Sequence, residues 1–303
     1  MLLVNQRDAL APAQLTCASL ASYEALTVKS DLVDKAIELG IPTPRTVRVS
    51  SIEELRRVGA DHPLPLVLKP SRSRYLARNQ VFSTSVSIIR TKADLKRAID
   101  LALWLEDIPG LVQEFIPGSG AGVFALADGR EVVAWFAHKR IREKPPSGGV
   151  SVLSESASTN SDLKAHSERL LKSVNWFGPA MIEYRVSNEG VPYLMEVNGR
   201  FWGSLQLAID CGIDFPALAI QLLRGGTPGT QDYSIGKRLR WLLGDVDNLL
   251  IQLKQGPAQG SRLKVIADFM TTFFDLRTKQ EILRWSDPTP AWFELKAWLR
   301  SAK

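Results

Sequence analysis

The sequence predicts a mixed α/β fold, of the α+β kind, on three observations. Short apolar runs of strand length alternate with amphipathic helical segments from residue 31 to residue 210. Turn signals such as Gly40-Ile41-Pro42, Asp128-Gly129 and Ser187-Asn188-Glu189-Gly190 separate those runs. A hydrophobic content of 45% over 303 residues suits a globular chain with a substantial core and two or three subdomains.

The elements follow in order. Residues 31 to 39 predict a helix with Leu32, Val33, Ile37 and Leu39 on its apolar side, stopped by Gly40 and the prolines after it. Thr46 to Val49 reads as a strand, and Ser51 caps a helix through Arg57 with Glu54 at capping-box spacing. Pro65 to Pro70 is the next strand and carries Lys69 at its end. Ser71 to Arg78 then reads as a basic polar loop whose hydroxyls, amides and guanidinium groups suit phosphate, although it lacks the glycines of a P-loop. Val86 to Ile89 is a strand, Lys92 to Leu105 an amphipathic helix, and Leu111 to Ile116 a strand closed by Pro117-Gly118-Ser119-Gly120. Gly122 to Ala127 and Glu131 to His138 flank the Asp128-Gly129 turn, and Gly148-Gly149 marks a mobile loop. Ser161 to Asn175 is helical, and Leu205 to Asp210 opens a helix ended by Gly212. The stretch from Tyr233 to Lys303 is rich in helix formers, with Trp241, Trp285, Trp292 and Trp298 expected as core or interface anchors.

Composition removes several function classes. No apolar run approaches the ~18 to 20 residues of a membrane span, so a cytoplasmic protein is expected. Cys17 and Cys211 are too few and too isolated for a disulfide framework. His62, His138 and His166 lack paired zinc-ligand spacing. The net charge of +6 is scattered through charged helices without a Lys/Arg run or interleaved aromatics, a pattern that fits a small polyanion as well as it fits nucleic acid.

The densest chemistry lies at Leu194-Met195-Glu196-Val197-Asn198-Gly199-Arg200, where a carboxylate, a carboxamide and a guanidinium follow an apolar strand. Upstream, Ala180 to Val186 is a second strand that carries Glu183, and the polar segment between them reads as a hairpin turn. A turn centred on Glu189 and Gly190 places Glu183 opposite Glu196, with Asn198 on the same face. Opposed like charges destabilise a ladder unless neutralised, and a magnesium ion held by oxygen ligands would neutralise them. The bland alternative is an exposed hairpin with solvated acids, and a slip of one residue would part the two faces.

These pieces, in this order, resemble the ATP-grasp superfamily, most closely its predicted carboligases similar to carbamoyl-phosphate synthase and biotin carboxylase, from about Lys29 to Arg224. The resemblance implies two α+β lobes with the nucleotide between them: residues 29–110 as the small lobe, 111–226 as the large lobe with the metal site, and 227–303 as a C-terminal helical extension. It implies that Lys29, about ten residues before Gly40-Ile41-Pro42, and Lys69 reach the nucleotide phosphates, and that Gln113, Glu114, Phe115 and Ile116 take the adenine and ribose. Glu183, Glu196 and Asn198 match the metal set, for magnesium or manganese, and Arg200 completes the Glu-x-Asn-x-Arg pattern. His138, Lys139 and Arg140, followed by Pro145-Pro146 and Gly148-Gly149, match the segment bordering the acyl-acceptor site.

The implied activity is ADP-forming ligation of a carboxylic acid to an amine, with ATP and magnesium, on small-molecule substrates and without nucleic acid or a membrane span. A catalytically silent nucleotide-binding regulatory module is the alternative. The family places a Rossmann-like lobe of ~100 residues before the first lysine, where this chain has residues 1–28. The expectation is a largely missing N-terminal lobe, truncated or supplied from elsewhere, with self-association or a partner chain covering the exposed surface.

Overall fold

The computed structural model describes residues 8–77, 80–146, 148–229, 231–257 and 260–301. Residues 1–7 of the expected N-terminal remnant and Arg78 of the expected basic loop lie outside them. The chain divides into two compact units, one comprising Met1–Gly120, Ala127–Val132 and Ser161–Arg200, the other Ala121–Leu126, Val133–Asn160 and Phe201–Lys303.

The first unit holds a four-stranded antiparallel sheet in the order Thr46–Val49, Gly110–Glu114, Leu66–Pro70, Ser87–Ile89. Alternation does the sorting along Leu66–Pro70: Leu66, Leu68 and Pro70 are buried, while Val67 and Lys69 face the other way. The buried face packs with Val49, Ile89 and Val112 against Leu55 and Val58 of the helix Ile52–Asp61 and Ala98 of the helix Lys92–Leu101. Ser51 does cap its helix, through Glu54 N, but the Glu54 carboxylate reaches Ser50 N instead of completing the box at Ser51. The complete capping box is at Thr91 and Asp94. The helix expected to Leu105 ends at Leu101, and its last residues fall in a 3-10 turn at Leu103–Glu106.

Ser71 to Ser73 remain irregular, but residues 74 to 77 do not. Arg74–Ala77 pairs with Gln80–Ser83 as a separate two-stranded hairpin, with Tyr75 stacked on Phe82 at 5.4 Å. The helix Leu20–Thr27, capped by Ser19, buries Leu26 completely, and Tyr23 stacks on Trp176 at 6.3 Å. The described part of residues 1–28 therefore packs within this unit.

Strands Phe177–Ser187 and Pro192–Asn198 form the expected carboxylate hairpin, but by a different route. Ser187 exchanges a hydrogen bond with Val191, so the loop is the three residues Asn188, Glu189 and Gly190, with Gly190 at φ +86°. That loop alone would set Glu183 against Met195. A bulge after the Tyr184–Leu194 pair inserts Met195, and Glu183 faces Glu196 after all. The bulge also lets Tyr184 and Leu194 stay buried together while Met195 and Glu196, consecutive in sequence, both remain partly exposed.

In the second unit, Val132–Lys144, Val150–Ser156, Arg238–Arg240 and Thr278–Gln280 are successive neighbours in one sheet, the last pair parallel. The region after Tyr233 is thus not purely helical: two short strands accompany the helices Leu242–Gln255, Arg262–Thr271 and Thr289–Ser301. Phe124, Phe136, Trp202 and Phe215 fill its core. Of the four C-terminal tryptophans, expected as core or interface anchors, Trp241 donates to Glu294 and Trp298 to Asp247, whereas Trp285 and Trp292 lie exposed and are not part of the core.

The polar centre of this unit is Asp245, fully buried, which accepts from Arg142 Nε and Nη2 at 2.6 Å and from Arg240 Nε at 2.7 Å. Arg240 is itself fully buried between the Phe269 and Phe273 rings. Asp245→Ala leaves two guanidinium groups without their shared counter-ion, and should cost about 3–5 kcal/mol in chemical denaturation.

Candidate functional site

The first unit brings two lysines and two carboxylates into one neighbourhood. Lys29 begins the helix Lys29–Glu38 and is 4% exposed. Its Nζ donates to Ser73 Oγ at 3.0 Å and lies 3.6 Å from Glu196 Oε1. Its backbone N–H is held by Ser71 O, which ties the start of the helix to the end of the Lys69 strand. The Gly40-Ile41-Pro42 turn has a physical role at the site too, since Pro42 O accepts from Leu194 N just before the bulge.

Lys69 projects from the face of its strand opposite the core, and its Nζ reaches Met195 Sδ at 3.9 Å. Burial pulls its ammonium down to about 8; Glu196 and Glu183 favour the charged form and oppose that fall, while Lys29 adds to it. Glu183 and Glu196 face each other across the hairpin, and Asn198 Nδ2 donates to Glu183 Oε1 at 3.1 Å. Gly199 follows in a tight place: a Cβ there would meet Tyr23 Cε2 at 2.7 Å and Trp176 Cη2 at 2.8 Å. Glycine lets the backbone run against those rings and so presents Arg200, which is exposed, two residues after Asn198.

Two carboxylates and a carboxamide are hard oxygen donors. Among the described residues no cluster of three His, Cys, Asp or Glu side chains is arranged to hold a metal. The hairpin therefore offers a small anionic set of the kind magnesium uses when phosphates and water complete its shell, and the donors fit that ion.

Gln113 to Ile116 also lie in this unit. Gln113 is buried and donates to Thr46 Oγ1 at 2.9 Å, with its Oε1 unpaired. The Glu114 carboxylate is taken by Arg45, through the backbone N–H at 2.9 Å and Nε at 3.1 Å. Arg90 lies over the Phe115 ring, and Ile116 O accepts from Arg185.

His138, Lys139 and Arg140 lie in the second unit. Lys139 pairs with Glu155 at 2.6 Å, and Arg140 with Glu143 at 2.9 Å and Gly149 O at 3.2 Å. His138 is buried edge-on to Phe124, with Nδ1 3.4 Å from Ser204 Oγ and Nε2 unpaired. Burial, reinforced by Arg140, lowers its pKa to about 3. The imidazole is therefore neutral near pH 7, and its place is in the aromatic core.

Sequence reasoning missed Ser73 and Met195. Ser73 was hidden in what read as an irregular loop, and Met195 joins the polar face only through the bulge, which leaves no mark on composition.

Residues 106–242 match the family described as ATP-grasp in the biosynthetic pathway with Ter operon. Among solved structures, N5-carboxyaminoimidazole synthase from Aspergillus clavatus, in complex with ADP and 5-aminoimidazole ribonucleotide, superposes with a TM-score of 0.62 at 15% identity, covering 78% of this chain and 61% of that one. Biotin carboxylase from Campylobacter jejuni gives a TM-score of 0.62 at 14% identity, covering 78% and 55%. L-amino acid ligase from Bacillus licheniformis gives 0.54 at 19% identity, covering 72% and 52%. The chain thus spans about three-fifths or less of the length of these structures. The family match over residues 106–242 and these superpositions agree on the architecture: the chain has the ATP-grasp fold.

Proposed function

We propose that the chain is an ATP-dependent ligase that activates a carboxylate for attack by an amine. The observation that carries this reading is the register of Glu183 against Glu196 beside Lys29 and Lys69. Two ammonium and two carboxylate groups cancel formally, so a nucleotide polyphosphate entering with its cation meets a balanced field instead of a repelling one. On this reading Lys29 and Lys69 hold the α and β phosphates, Gln113 to Ile116 border the adenine and ribose, and Glu183, Glu196 and Asn198 hold magnesium, or manganese in its place. Magnesium supplies charge neutralisation at the phosphate oxygens. Arg200 steadies the transferring phosphoryl group or the acceptor carboxylate through a bidentate fork. Lys139 and Arg140 border the acceptor, and His138 supports them from the core.

The chemistry is two displacements. A carboxylate oxygen of the acid attacks the γ-phosphorus, the bond to the bridging oxygen breaks, and ADP leaves. The amine nitrogen then attacks the acyl carbon of the acyl phosphate, inorganic phosphate leaves with the bonding pair, and the amine gives up a proton. The protein's part is positioning and charge neutralisation. Residues 29–110 and 111–226 would act as the two nucleotide-binding lobes. The arginine- and serine-bearing hairpin after Lys69, standing where the family carries a glycine-rich loop, favours one second reading: a module that binds nucleotide without turning it over.

Adding magnesium and ATP together should raise the thermal midpoint, and Glu196→Gln should remove the part of that rise that depends on magnesium. No shift at millimolar concentrations would overturn the binding assignment. Lys69 titrates near pH 8 in the free protein, so its charge is present below that value and lost above it. Affinity for nucleotide, measured by calorimetry, should fall by up to about tenfold from pH 7 to pH 9, and Lys69→Met should abolish that dependence. With a matching acid and amine, turnover should yield ADP and phosphate, and Arg200→Lys should reduce it severely. AMP and pyrophosphate as products would replace acyl phosphate with an acyl adenylate, and nucleotide binding with no turnover across an acid and amine screen would favour the silent module.

A further inference from the structure

The second unit contains a polar cavity of about 720 Å³ between the end of the strand Val132–Lys144 and the segment Asn248–Arg277. Apart from Arg140 and Pro146, its lining residues have no part in the ligase chemistry. Arg142, Arg238 and Arg277 line it, and each is held by acids along one edge of its guanidinium. Arg142 gives Nε and Nη2 to Asp245 at 2.6 Å; Arg238 gives Nε to Glu155 at 2.6 Å and Nη1 to Asp275 at 2.8 Å; Arg277 gives Nε and Nη2 to Asp275 at 2.9 and 3.0 Å. Arg142 Nη2 also reaches Thr272 Oγ1 at 3.0 Å, and Thr272 stands three residues before Asp275, so the three groups converge on one short stretch of chain. Each keeps one terminal nitrogen, Nη1 of Arg142, Nη2 of Arg238 and Nη1 of Arg277, that bonds to none of the described residues and is not enclosed by protein. Charge is unbalanced in the same direction. Arg142 and Arg240 share Asp245, while Lys139, Arg238 and Arg277 share Glu155 and Asp275, so five cations meet three carboxylates. Hydrogen bonds from Arg277 pull the Asp275 carboxyl down to about 2, so that acid is already ionised and takes up no further charge at neutral pH. Arg140 and Glu143 cancel as a pair, and Asp268, whose carboxylate bonds to none of the described residues, is the remaining acid on the wall.

We propose that this cavity binds a small phosphorylated molecule by its phosphomonoester group, whose oxygens accept from the free terminal nitrogens of Arg142, Arg238 and Arg277. A phosphate terminus offers three acceptor oxygens and nearly two negative charges at neutral pH, which suits three separate donors and an excess of cations. A carboxylate offers two oxygens in one plane and a single charge, and would leave one guanidinium end unmet. An ammonium head would add to the excess. The acids that hold the other edge of each guanidinium fix its plane in advance, so little side-chain freedom is lost when the phosphate arrives. The volume is of small-molecule size and well beyond a phosphate group alone, which leaves room for an organic body. Ile141, Leu153 and Val265 offer that body apolar wall, and Asn248 and Gln252 polar wall.

The test uses the full chain without nucleotide or magnesium, so its outcome is independent of the ligase reading. Calorimetric titration with glycerol 3-phosphate, ribose 5-phosphate and O-phosphoserine, beside inorganic phosphate and succinate, should give saturable binding of at least one ester, about tenfold tighter than succinate and tighter than inorganic phosphate. Arg238→Gln leaves Glu155 with Lys139 and Asp275 with Arg277, so both acids stay paired, and it should weaken the ester by about tenfold. Asp268→Asn takes a like charge from the wall and should tighten the ester by about twofold, a gain that a damaged fold does not produce. No saturable binding of any ester to the unmodified chain, or succinate or inorganic phosphate binding as tightly as the best ester, overturns the proposal. So does an ester affinity that is lost in Lys69→Met and kept in Arg238→Gln, because the phosphate then sits at the lysines of the first unit.

Discussion

Two carboxylates that face each other across neighbouring strands need compensation, and the first unit is organised around that requirement. Glu183 and Glu196 would strain their ladder if left alone. Lys29, delivered by the start of a helix, and Lys69, delivered by the face of a strand opposite the core, supply the opposite charge. Each lysine in turn depends on the acids, since an ammonium buried as deeply as Lys29 requires a carboxylate within reach. The four groups therefore hold sheet, helix and hairpin to one another by charge as well as by apolar packing. The same mutual dependence keeps the cluster polar.

Much of this was legible in the sequence. Alternation located the strand that carries Lys69, because a lone lysine among Leu66, Val67 and Leu68 has to point away from the core. The opposition of Glu183 to Glu196 was also legible, although for an incomplete reason: a two-residue turn and a three-residue turn with a bulge yield the same pairing. What composition could not reveal was how each side chain would be engaged. Glu114 is occupied by Arg45, a partner 69 residues away in sequence, and no local pattern announces that contact. The hairpin at Arg74–Ala77 escaped because polar and apolar residues alternate there without a buried face to give the alternation meaning. His138 reads as chemistry in a basic tripeptide, yet tertiary packing places it against Phe124.

The C-terminal region follows a different logic. Its short strands are held by the shared buried counter-ion Asp245, with Arg142 from one strand and Arg240 from another converging on a single carboxylate. Such a node is directional and demands one arrangement, where an apolar contact would tolerate several. The tryptophans of this region divide in the same way: Trp241 and Trp298 donate to Glu294 and Asp247, whereas Trp285 and Trp292 stand exposed.

The extra residue at Met195 couples turn length to site geometry. Loop and bulge are complementary defects whose offsets cancel, so the acids keep their register only while both are present or both are absent. A related chain that lost one residue from the Asn188–Gly190 loop would rotate Glu196 out of the site unless it also straightened its strand. Among descendants of this hairpin, insertions and deletions should travel in compensating pairs, and loop length would report on the bulge at Met195 without any knowledge of what the acids do.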